Sequence, residues 1–312
     1  MIRDKFFVDE KMHGIRLDIA ITQYLERKYS RNQIKNFILD GCVQVNDENC
    51  KPKDKLVTGD EIEFDFDDHH DSSWMPEKIN FSVKDETNEY IIVEKSPNLI
   101  MHPGAGNEQG TLANGLLFRF PELAKLPRSG IVHRLDKDTS GLVLVAKTNE
   151  FRNHIVSEFQ NRNVKKFYYA LIKGNIIGQT IINEPILRDR RNRLRMTVDR
   201  SGREAISIVK NIETFHSYSL VEVEILTGRT HQIRVHMDFH KTPIVGDKVY
   251  GSRHKLAKNL TKEKIDFIQQ FPRQALHASK LSFAPKNNSE YVSYQCDLPK
   301  DIKDLINVLK KA

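Results

Sequence analysis

The 312-residue chain has few of the residues that mark disulfide frameworks, metal sites or membrane spans. It holds three cysteines, Cys42, Cys50 and Cys296, and no two of them form a CxxC pair. An odd number of cysteines without that spacing argues against both a disulfide framework and a zinc site. No apolar run approaches the roughly 18 residues that a membrane-spanning helix needs. These absences favour a globular protein with free thiols and no membrane partner.

Signatures of metal hydrolases, dinucleotide-binding enzymes and secreted proteins are also missing. His231 and His236 are five residues apart and do not form the HExxH arrangement of zinc hydrolases. The glycines of HPGAGNEQG, at 102–110, lack the GxGxxG spacing that opens a helix after a strand. Residues 1–14, MIRDKFFVDEKMHG, carry acids and no continuous apolar block, unlike a secretory signal. We therefore expect a cytoplasmic protein without a bound metal.

Positive charge exceeds negative charge, since 49 lysines and arginines stand against 42 acids and give a net charge of +7. This balance suits a polyanionic partner without requiring one. Its distribution is more informative, because residues 188–203 hold seven arginines and two aspartates. The segment is either a solvated hairpin or a surface that contacts phosphate, and composition leaves both interpretations open.

The front of the chain reads as a compact unit over residues 13–63. Apolar residues recur at helical spacing in the first predicted helix, at Leu17, Ile19, Ala20, Ile21 and Leu25. Ser30 is placed to cap a second helix that ends at Gly41, and two short strands, CVQVN and EIEFDF, follow. The acidic segment DFDDHHDSSWMPEK is broken by a proline and predicts a linker, in which His69 and His70 are expected to be exposed and without function.

From about residue 79 the pattern changes to many short β-type runs with helical stretches between them. The runs include YIIVEKS, GLVLVAKT, KKFYYALIKG and YSLVEVEILT. Their number predicts an extended, mainly antiparallel sheet. The expected fold class is α+β. Residues 13–75 would form a small α/β domain with its linker, and residues 79–312 a large domain with a mixed sheet and flanking helices.

A polar insert lies between two apolar strands in residues 130–147, GIVHRLDKDTSGLVLVAK. It places His133, Arg134, Asp136 and Asp138 where the sheet turns, and strands on both sides would hold them rigidly, as a nucleophile requires. The plainer interpretation is that the two aspartates are ordinary turn residues beside Gly141.

A second polar insert, TGRTHQIRVH at 227–236, follows the strand VEVEIL. Thr230 is placed to cap a helix that starts at His231. Arg229 and Arg234 would then be fixed near the helix entrance, where a guanidinium group suits a carboxylate or a phosphate.

A third segment, KFYYALIKG, is predicted to be a strand. Lys166, Tyr168 and Ala170 alternate on one of its faces. A tyrosine in that position is usually part of the core.

Together these three segments resemble the signatures of the RluA family of RNA pseudouridine synthases. The family's HRLDxxTSGL loop, KxYxA strand and GRTHQIRxH turn occur here in the family's order, at 133–142, 166–170 and 228–236. Residues 29–46, YSRNQIKNFILDGCVQVN, look like part of an S4 RNA-binding domain. The resemblance covers almost all of residues 13–312.

The resemblance implies an enzyme that isomerises specific uridines of large-subunit ribosomal RNA to pseudouridine. It makes Asp136 the catalytic aspartate and Arg234 its ion-pair partner. It makes Tyr168 the residue that stacks on the base and assists removal of the C5 proton, and Arg134 the residue that enters the RNA where the base leaves. Further RNA contacts are expected from His133, Arg229, Arg31 and Lys35.

Pseudouridine formation breaks the bond from uracil N1 to the ribose, turns the base and rejoins it through C5, without a redox step, a metal or a small-molecule cofactor. A carboxylate beside the anomeric carbon would serve as a nucleophile or as a base and charge stabiliser, and the sequence leaves both routes open. The base must first be flipped out of the RNA. The expected partner is a structured stem-loop of large-subunit ribosomal RNA or a pre-ribosomal particle, and nothing demands more than a monomer.

Two other functions fit parts of the sequence. A non-catalytic RNA-binding protein or ribosome-assembly factor would use the same basic surface, but it would be expected to lack the carboxylate or the tyrosine, and Asp136 and Tyr168 are both present. A glycoside or nucleoside hydrolase would combine Asp136 with Asp138. Residues two apart on a rigid turn are poorly placed to flank a sugar from opposite sides.

Overall fold

The computed structural model describes residues 2–25, 29, 31–66, 74–104, 106–251, 256, 260–285 and 290–310. The chain forms two compact units, Met1–Asp71 and Ser72–Ala312. The predicted cap at Ser30 and the linker histidines His69 and His70 lie outside the described residues.

The first unit combines two helices with a four-stranded sheet. Its helices are α1 (Leu17–Tyr24) and α2 (Arg31–Leu39), and its strands are β1 (Ile2–Phe7), β2 (Val43–Val45), β3 (Glu48–Asn49) and β4 (Glu61–Phe66). The strand order is β1-β4-β2-β3, and each pair is antiparallel. Helix α1 turns its predicted apolar face inward, because Leu17, Ala20 and Ile21 are fully buried.

Strand β1 begins ahead of the predicted start of this unit at residue 13. It pairs with β4, buries Phe6, and forms ion pairs from Arg3 to Glu63 and from Lys5 to Glu61. The backbone ladder and the burial of Phe6 join this strand to the sheet edge, and the charged residues that mask its apolar pattern in the sequence form exposed pairs with β4.

The second unit is built on a large sheet with flanking helices. Its helices are α3 (Leu112–Arg119), α4 (Asn149–Gln160), α5 (Gln232–Phe239), α6 (Lys262–Gln270) and α7 (Lys300–Lys310). Its strands are β5 (Ser82–Glu86), β6 (Tyr90–Lys95), β7 (Ser140–Ala146), β8 (Lys165–Lys173), β9 (Gln179–Asn183), β10 (Ile186–Arg188), β11 (Met196–Val198), β12 (Ile206–Phe215), β13 (Tyr218–Ile225), β14 (Leu276–Phe283) and β15 (Val292–Gln295). Nine of these strands form one sheet, with the order β5-β6-β7-β14-β8-β13-β12-β9 and β15 paired to β14.

All the sheet pairs are antiparallel except β7 with β14, which is parallel. Strands β10 and β11 form a separate hairpin. The prediction of an α+β fold with a mixed, mainly antiparallel sheet is confirmed. None of the described helices is both long enough and apolar enough to cross a membrane.

Strand β7 is buried along its whole length, on both faces of the sheet. Val143 and Val145 enter the main core with residues of α3, α5, α6 and α7, while Leu142 and Leu144 enter a second core with residues of α4. The polar insert that precedes β7 is therefore attached to the most deeply packed strand of the unit.

Residues 74–78, which we expected in the linker, belong to the second unit. Trp74 packs against the main core, and the side-chain amide of Asn114 donates to the carbonyl of Met75 at 2.7 Å. The carboxylate of Glu77 accepts from the amide of Gly110 at 2.6 Å. The structural division thus comes earlier than the predicted one, because an aromatic side chain and two side-chain hydrogen bonds fix this segment.

Candidate active site

The loop at 133–142, which carries Asp136 and is called the HRLD loop below, is flanked by two points where its backbone closely approaches that of another segment. Gly130 has a φ of +75° and Gly141 a φ of +117°. A Cβ at Gly130 would lie 2.1 Å from the carbonyl oxygen of Ala146, and one at Gly141 would lie 2.2 Å from that of Ala278. Both the conformation and the lack of space require glycine. These contacts bind the ends of the loop to β7 and β14.

Two buried side chains, those of Lys95 and Arg273, hold the backbone of this loop. The ammonium group of Lys95 donates to the carbonyl of Lys137 at 2.8 Å, and to those of Ser96 and Leu99 at 2.9 Å each. Nη1 of Arg273 donates to the carbonyl of Asp138 at 3.0 Å. The bond from Arg273 is charge-assisted, and such bonds are among the stronger ones. Burial lowers the pKa of Lys95 to about 7, so its three hydrogen bonds hold the loop with a side chain that is charged only in part at neutral pH. The loop that carries Asp136 is therefore rigid.

A second anchor joins the loop to the end of the chain. The guanidinium group of Arg273 donates to both carboxylate oxygens of Asp301, at 2.7 and 3.0 Å. Gln274 donates to the hydroxyl of Thr139 at 3.2 Å. Helix α7, which carries Asp301, thus supports the loop through Arg273.

The carboxylate of Asp136 meets the guanidinium group of Arg234. Nη1 of Arg234 donates to Oδ2 of Asp136 at 2.9 Å, which is the predicted pairing. The other edge of the guanidinium group donates to Asp247, from Nε at 2.7 Å and from Nη2 at 3.0 Å. Burial alone would lower the pKa of Arg234, but the charges of Asp247 and then Asp136 raise it. The arginine is a permanent cation shared by two carboxylates.

The entrance of α5 differs from the expectation that Thr230 caps it. The N-cap residue is His231, in a left-handed conformation with a φ of +56°, and it makes no capping hydrogen bond through its side chain. The side-chain oxygen of Gln232 instead accepts from the amide of Arg229 at 3.0 Å and from the hydroxyl of Thr227 at 2.7 Å. The glutamine organises the turn, so the Thr230 prediction is wrong.

The left-handed conformation brings His231 towards the carboxylate. Its Nε2 lies 3.9 Å from Oδ2 of Asp136, and its Nδ1 lies 2.8 Å from the hydroxyl of Tyr250. Burial lowers the pKa of this imidazole, and the charge of Asp136 only partly opposes the shift. His231 is thus a neighbour of the site that sequence reasoning had not assigned.

Tyr168 and Asp136 line the same cavity. Tyr168 lies on β8, on the buried face that it shares with Lys166 and Ala170, as the alternation predicted. Burial raises the pKa of the Tyr168 phenol, and the nearby charge of Asp136 raises it further. The phenol is therefore protonated at neutral pH.

The cavity has a volume of about 430 Å³, and all three sequence signatures contribute to its walls. This volume is within the range of pockets that hold small organic groups. Its lining includes Asp136, Tyr168 and Arg234, but Asp138 does not contribute to it. Within the described ranges, no cluster of three or more histidine, cysteine or acidic residues is arranged to hold a metal ion.

Three residues that we expected to contact RNA also line this cavity: His133, Arg134 and Arg229. Arg134 is exposed at the mouth, and Arg229 is partly buried with its Nε donating to the carbonyl of Glu204 at 2.8 Å. Nε2 of His133 accepts from the amide of Leu144 at 2.9 Å, and burial lowers the pKa of this histidine to about 3. A neutral imidazole committed to the backbone positions the loop, so it does not fit a charged phosphate contact through Nε2.

The other two residues, Arg31 and Lys35, lie on the first unit. Arg31 donates to Asp18 at 3.0 and 3.3 Å, and Arg16 donates to the same carboxylate at 3.1 and 2.9 Å. Burial opposes the ionisation of Asp18, but the two arginines lower its pKa. Lys35 is exposed beside them, and the three cations border a cavity of about 610 Å³ together with Lys51 and Lys53.

The arginine-rich segment 188–203 begins at the last residue of β10 and includes β11. The hairpin that these two strands form packs through Ile186 and Met196 against Val235 and Tyr250. Within the segment, Asp189 and Asp199 accept hydrogen bonds from neighbouring backbone amides. The two aspartates therefore shape the turns, and the hairpin lies beside α5.

Sequence reasoning missed the residues that hold the site together. Asp247, Lys95 and Arg273 are each buried, and each binds a group in the loop or Arg234. Asp247 lies in VGDKVYG and Arg273 in RQALHA. A charged residue within an apolar stretch is the signal that could have identified them, since buried charges are rare unless paired.

Residues 89–239 match the family model described as RNA pseudouridylate synthase, and residues 15–62 match that of the S4 domain. Ribosomal large subunit pseudouridine synthase D of Yersinia pestis is 39% identical over 97% of this chain and 93% of its own length. This chain belongs to the RNA pseudouridylate synthase family. It is an RNA pseudouridine synthase with an S4 domain, as predicted.

Other relatives agree with this assignment. The proteins of the same description from Neisseria meningitidis serogroup A and Escherichia coli K12 are 40% and 37% identical, over 96% and 97% of this synthase and 80% and 93% of their own lengths. The solved structure of human RNA Pseudouridylate Synthase Domain Containing 4 covers 73% of this chain and 93% of its own, with a TM-score of 0.58 and 23% identity. That similarity shows a shared fold.

Proposed function

We propose that this synthase isomerises specific uridines in large-subunit ribosomal RNA, with Asp136 as the catalytic carboxylate. The observation that carries the proposal is the position of Asp136 in an open cavity, paired with Arg234 and facing the same space as Tyr168. The full-length similarity to proteins described as ribosomal large subunit pseudouridine synthase D supports the choice of RNA.

The geometry gives Asp136 a defined task at the sugar. One of its oxygens is bound by Arg234, so the carboxylate is held in one orientation and its other oxygen can face the anomeric carbon of an extruded nucleotide. In that position it acts either as a nucleophile or as a base that stabilises positive charge on the sugar. Arg234 remains ionised throughout and contributes orientation and charge.

Tyr168 forms the apolar wall against which a flipped uracil would stack. Base flipping costs a few kcal/mol, and stacking on an aromatic ring offsets part of that cost. Because its phenol is protonated, Tyr168 assists removal of the C5 proton through hydrogen bonding by its hydroxyl group rather than as a phenolate base.

A structured stem-loop, free or within a pre-ribosomal particle, is the proposed substrate. Arg134 and Arg229 at the cavity mouth and the cations around Arg31 and Lys35 on the S4 unit supply two sets of phosphate contacts. We propose that the synthase acts as a cytoplasmic monomer.

The test measures pseudouridine in a large-subunit ribosomal RNA transcript by carbodiimide labelling. Asp136→Asn should lower the rate by at least about 1,000-fold, because it replaces the reacting carboxylate, while its affinity for RNA stays close to that of the unchanged protein. Asp138→Asn is the matched control and should retain its activity, since Asp138 lies outside the cavity. Comparable turnover by the Asp136 variant would rule out the assignment. Release of free uracil would favour a hydrolase instead.

A further inference from the structure

One cation in the active-site cavity has no task in the mechanism described above. Lys166 shares the inward face of β8 with Tyr168, is only 9% exposed, and lines the cavity. Among the residues that the structure describes, no hydrogen-bond acceptor or carboxylate contacts its ammonium group. Its ammonium group contacts the Phe159 ring but has no counter-ion among the described residues. A buried charge without a counter-ion is costly, so this group calls for an anionic ligand.

The ammonium group of Lys166 lies near Phe159 and the turn at Gly228. It lies 5.4 Å from the centre of the Phe159 ring, and it is 3.8 Å from the point that a Cβ of Gly228 would occupy. The side chain therefore runs along Phe159 towards the turn that carries Arg229, while Asp136 is held by Arg234 at the entrance of α5. Lys166 and Asp136 thus serve different parts of the cavity.

Lys166 is set up to bind an anion. Burial lowers its pKa to about 8, so most of the side chain is charged at neutral pH, and an anionic ligand would stabilise that form. The anions of RNA are the phosphodiester groups, one for each nucleotide. Lys166 and Tyr168 are two residues apart on one strand face, so their Cα atoms are roughly 6.6 Å apart, a separation comparable with the span of a single nucleotide.

We propose that Lys166 binds a phosphodiester oxygen next to the extruded uridine and so fixes its backbone while the base lies against Tyr168 and the sugar faces Asp136. This inference rests on the proposed function, because it assumes that a flipped nucleotide enters the cavity. It makes Lys166 a substrate-binding residue that complements the arginines at the mouth.

The experiment compares Lys166→Met and Lys166→Arg with Lys165→Met as a matched control. Lys165 is exposed on the opposite face of β8, near the Tyr291 ring, and loses the same charge on substitution. Binding of the ribosomal RNA transcript is measured in the Asp136→Asn background, so that affinity is read without turnover. Thermal unfolding, followed through Trp74, verifies that each variant is folded.

Lys166→Met should weaken binding about tenfold, the cost of one charge-assisted contact. It should also reduce the slope of log affinity against log salt concentration by about 0.7 to 0.9, which is the release of one counterion. Lys166→Arg should retain the slope, and Lys165→Met should leave the affinity within about twofold. In the otherwise unchanged enzyme, Lys166→Met should raise KM far more than it lowers the single-turnover rate at saturating RNA.

Neutral methylphosphonate groups placed singly on the phosphates that flank the target uridine identify the contact. At one of these positions the methylphosphonate should weaken RNA binding by the protein that retains Lys166, and it should leave the affinity of Lys166→Met unchanged. If every methylphosphonate affects both proteins equally, or if Lys166→Met and Lys166→Arg lose affinity equally, the inference is wrong. Loss of pseudouridine formation by the unsubstituted enzyme on this RNA would instead contradict the proposed function itself.

Discussion

Asp247 binds Arg234 through two parallel hydrogen bonds, from Nε and Nη2, and leaves Nη1 directed at Asp136. The carboxylate of Asp247 also accepts from the amides of Val249 and Tyr250, so it is itself fixed by the backbone. A bidentate contact sets the plane of a guanidinium group as well as its position. The orientation of Asp136 therefore depends on a residue that does not line the cavity.

Asp247→Asn should lower the turnover rate about 10-fold to 100-fold, because misplacing a catalytic group by about 1 Å can cost as much as about 100-fold. It should also lower the free energy of unfolding by about 3 kcal/mol or more, because one partner of a buried ion pair loses its charge. Single-turnover kinetics and chemical denaturation measure the two effects. Glu213→Gln is the control, since its exposed pair with Lys310 is worth less than about 1 kcal/mol. A wild-type rate for Asp247→Asn would show that Arg234 needs no such support.

Tyr168→Phe separates the two tasks proposed for this residue. Phenylalanine keeps the ring that stacks on uracil and removes the hydroxyl, so RNA affinity should change less than about threefold while turnover falls at least about 100-fold. Tyr168→Leu should lose affinity as well. If Tyr168→Phe and the unsubstituted protein show equal turnover in a carbodiimide assay, the hydroxyl group takes no part in removing the C5 proton, and stacking is the residue's remaining role.

The stability of the second unit should fall as the pH falls from about 6.5 to about 4. Burial lowers the pKa of His277 to about 4, whereas an unfolded histidine titrates near 6.5. Between these values the unfolded chain binds a proton that the folded chain does not, so stability present above pH 6.5 is lost on acidification. His277 is 1% exposed, and it contributes up to about 1.4 kcal/mol for each pH unit in this window.

Denaturation followed by the fluorescence of Trp74, the single tryptophan, reports on this unit. His277→Gln should show a shallower decline between pH 6.5 and 4 than the unsubstituted protein. Parallel curves for the two proteins would assign the acid sensitivity to other groups.

Removal of residues 1–71 should weaken binding of large-subunit ribosomal RNA while the second unit keeps its melting temperature. The buried side chains of the first unit form a core of their own, so this cut removes no residue from the other cores. A cut after residue 78 should lower the melting temperature, because it also removes Trp74 and the hydrogen bond to Met75. An unchanged RNA affinity after the first deletion would contradict the proposed role of the S4 unit.

The sequence predicted the parts of the site that are local patterns. The loop of Asp136, the strand of Tyr168 and the turn of Arg234 each lie in a short segment whose character is readable, and the structure brings them to one cavity. The supporting groups come from segments far apart in the chain, and their contacts depend on how the strands are ordered. The parallel pairing of β7 with β14, which positions Arg273 beneath Asp138, has no local signature.

The wrong expectation at Thr230 has a related cause. A threonine before a helical pattern is a common cap, but the left-handed conformation at His231 removes it from that position. The side chain of Gln232, which lies inside the helical pattern, performs the task instead. In that conformation His231 contacts Tyr250, a residue outside the turn that a local pattern does not include.

The bond between Arg273 and Asp301 also bears on when the enzyme becomes competent during its synthesis. The aspartate is supplied by α7, which leaves the ribosome after every strand of the sheet has been made. When the HRLD loop, the strand of Tyr168 and the turn of Arg234 have been translated, the nascent chain still lacks Asp301, whose carboxylate holds Arg273 against that loop. Nascent chains that are still attached to the ribosome should therefore bind target uridines poorly, although they are close to ribosomal RNA.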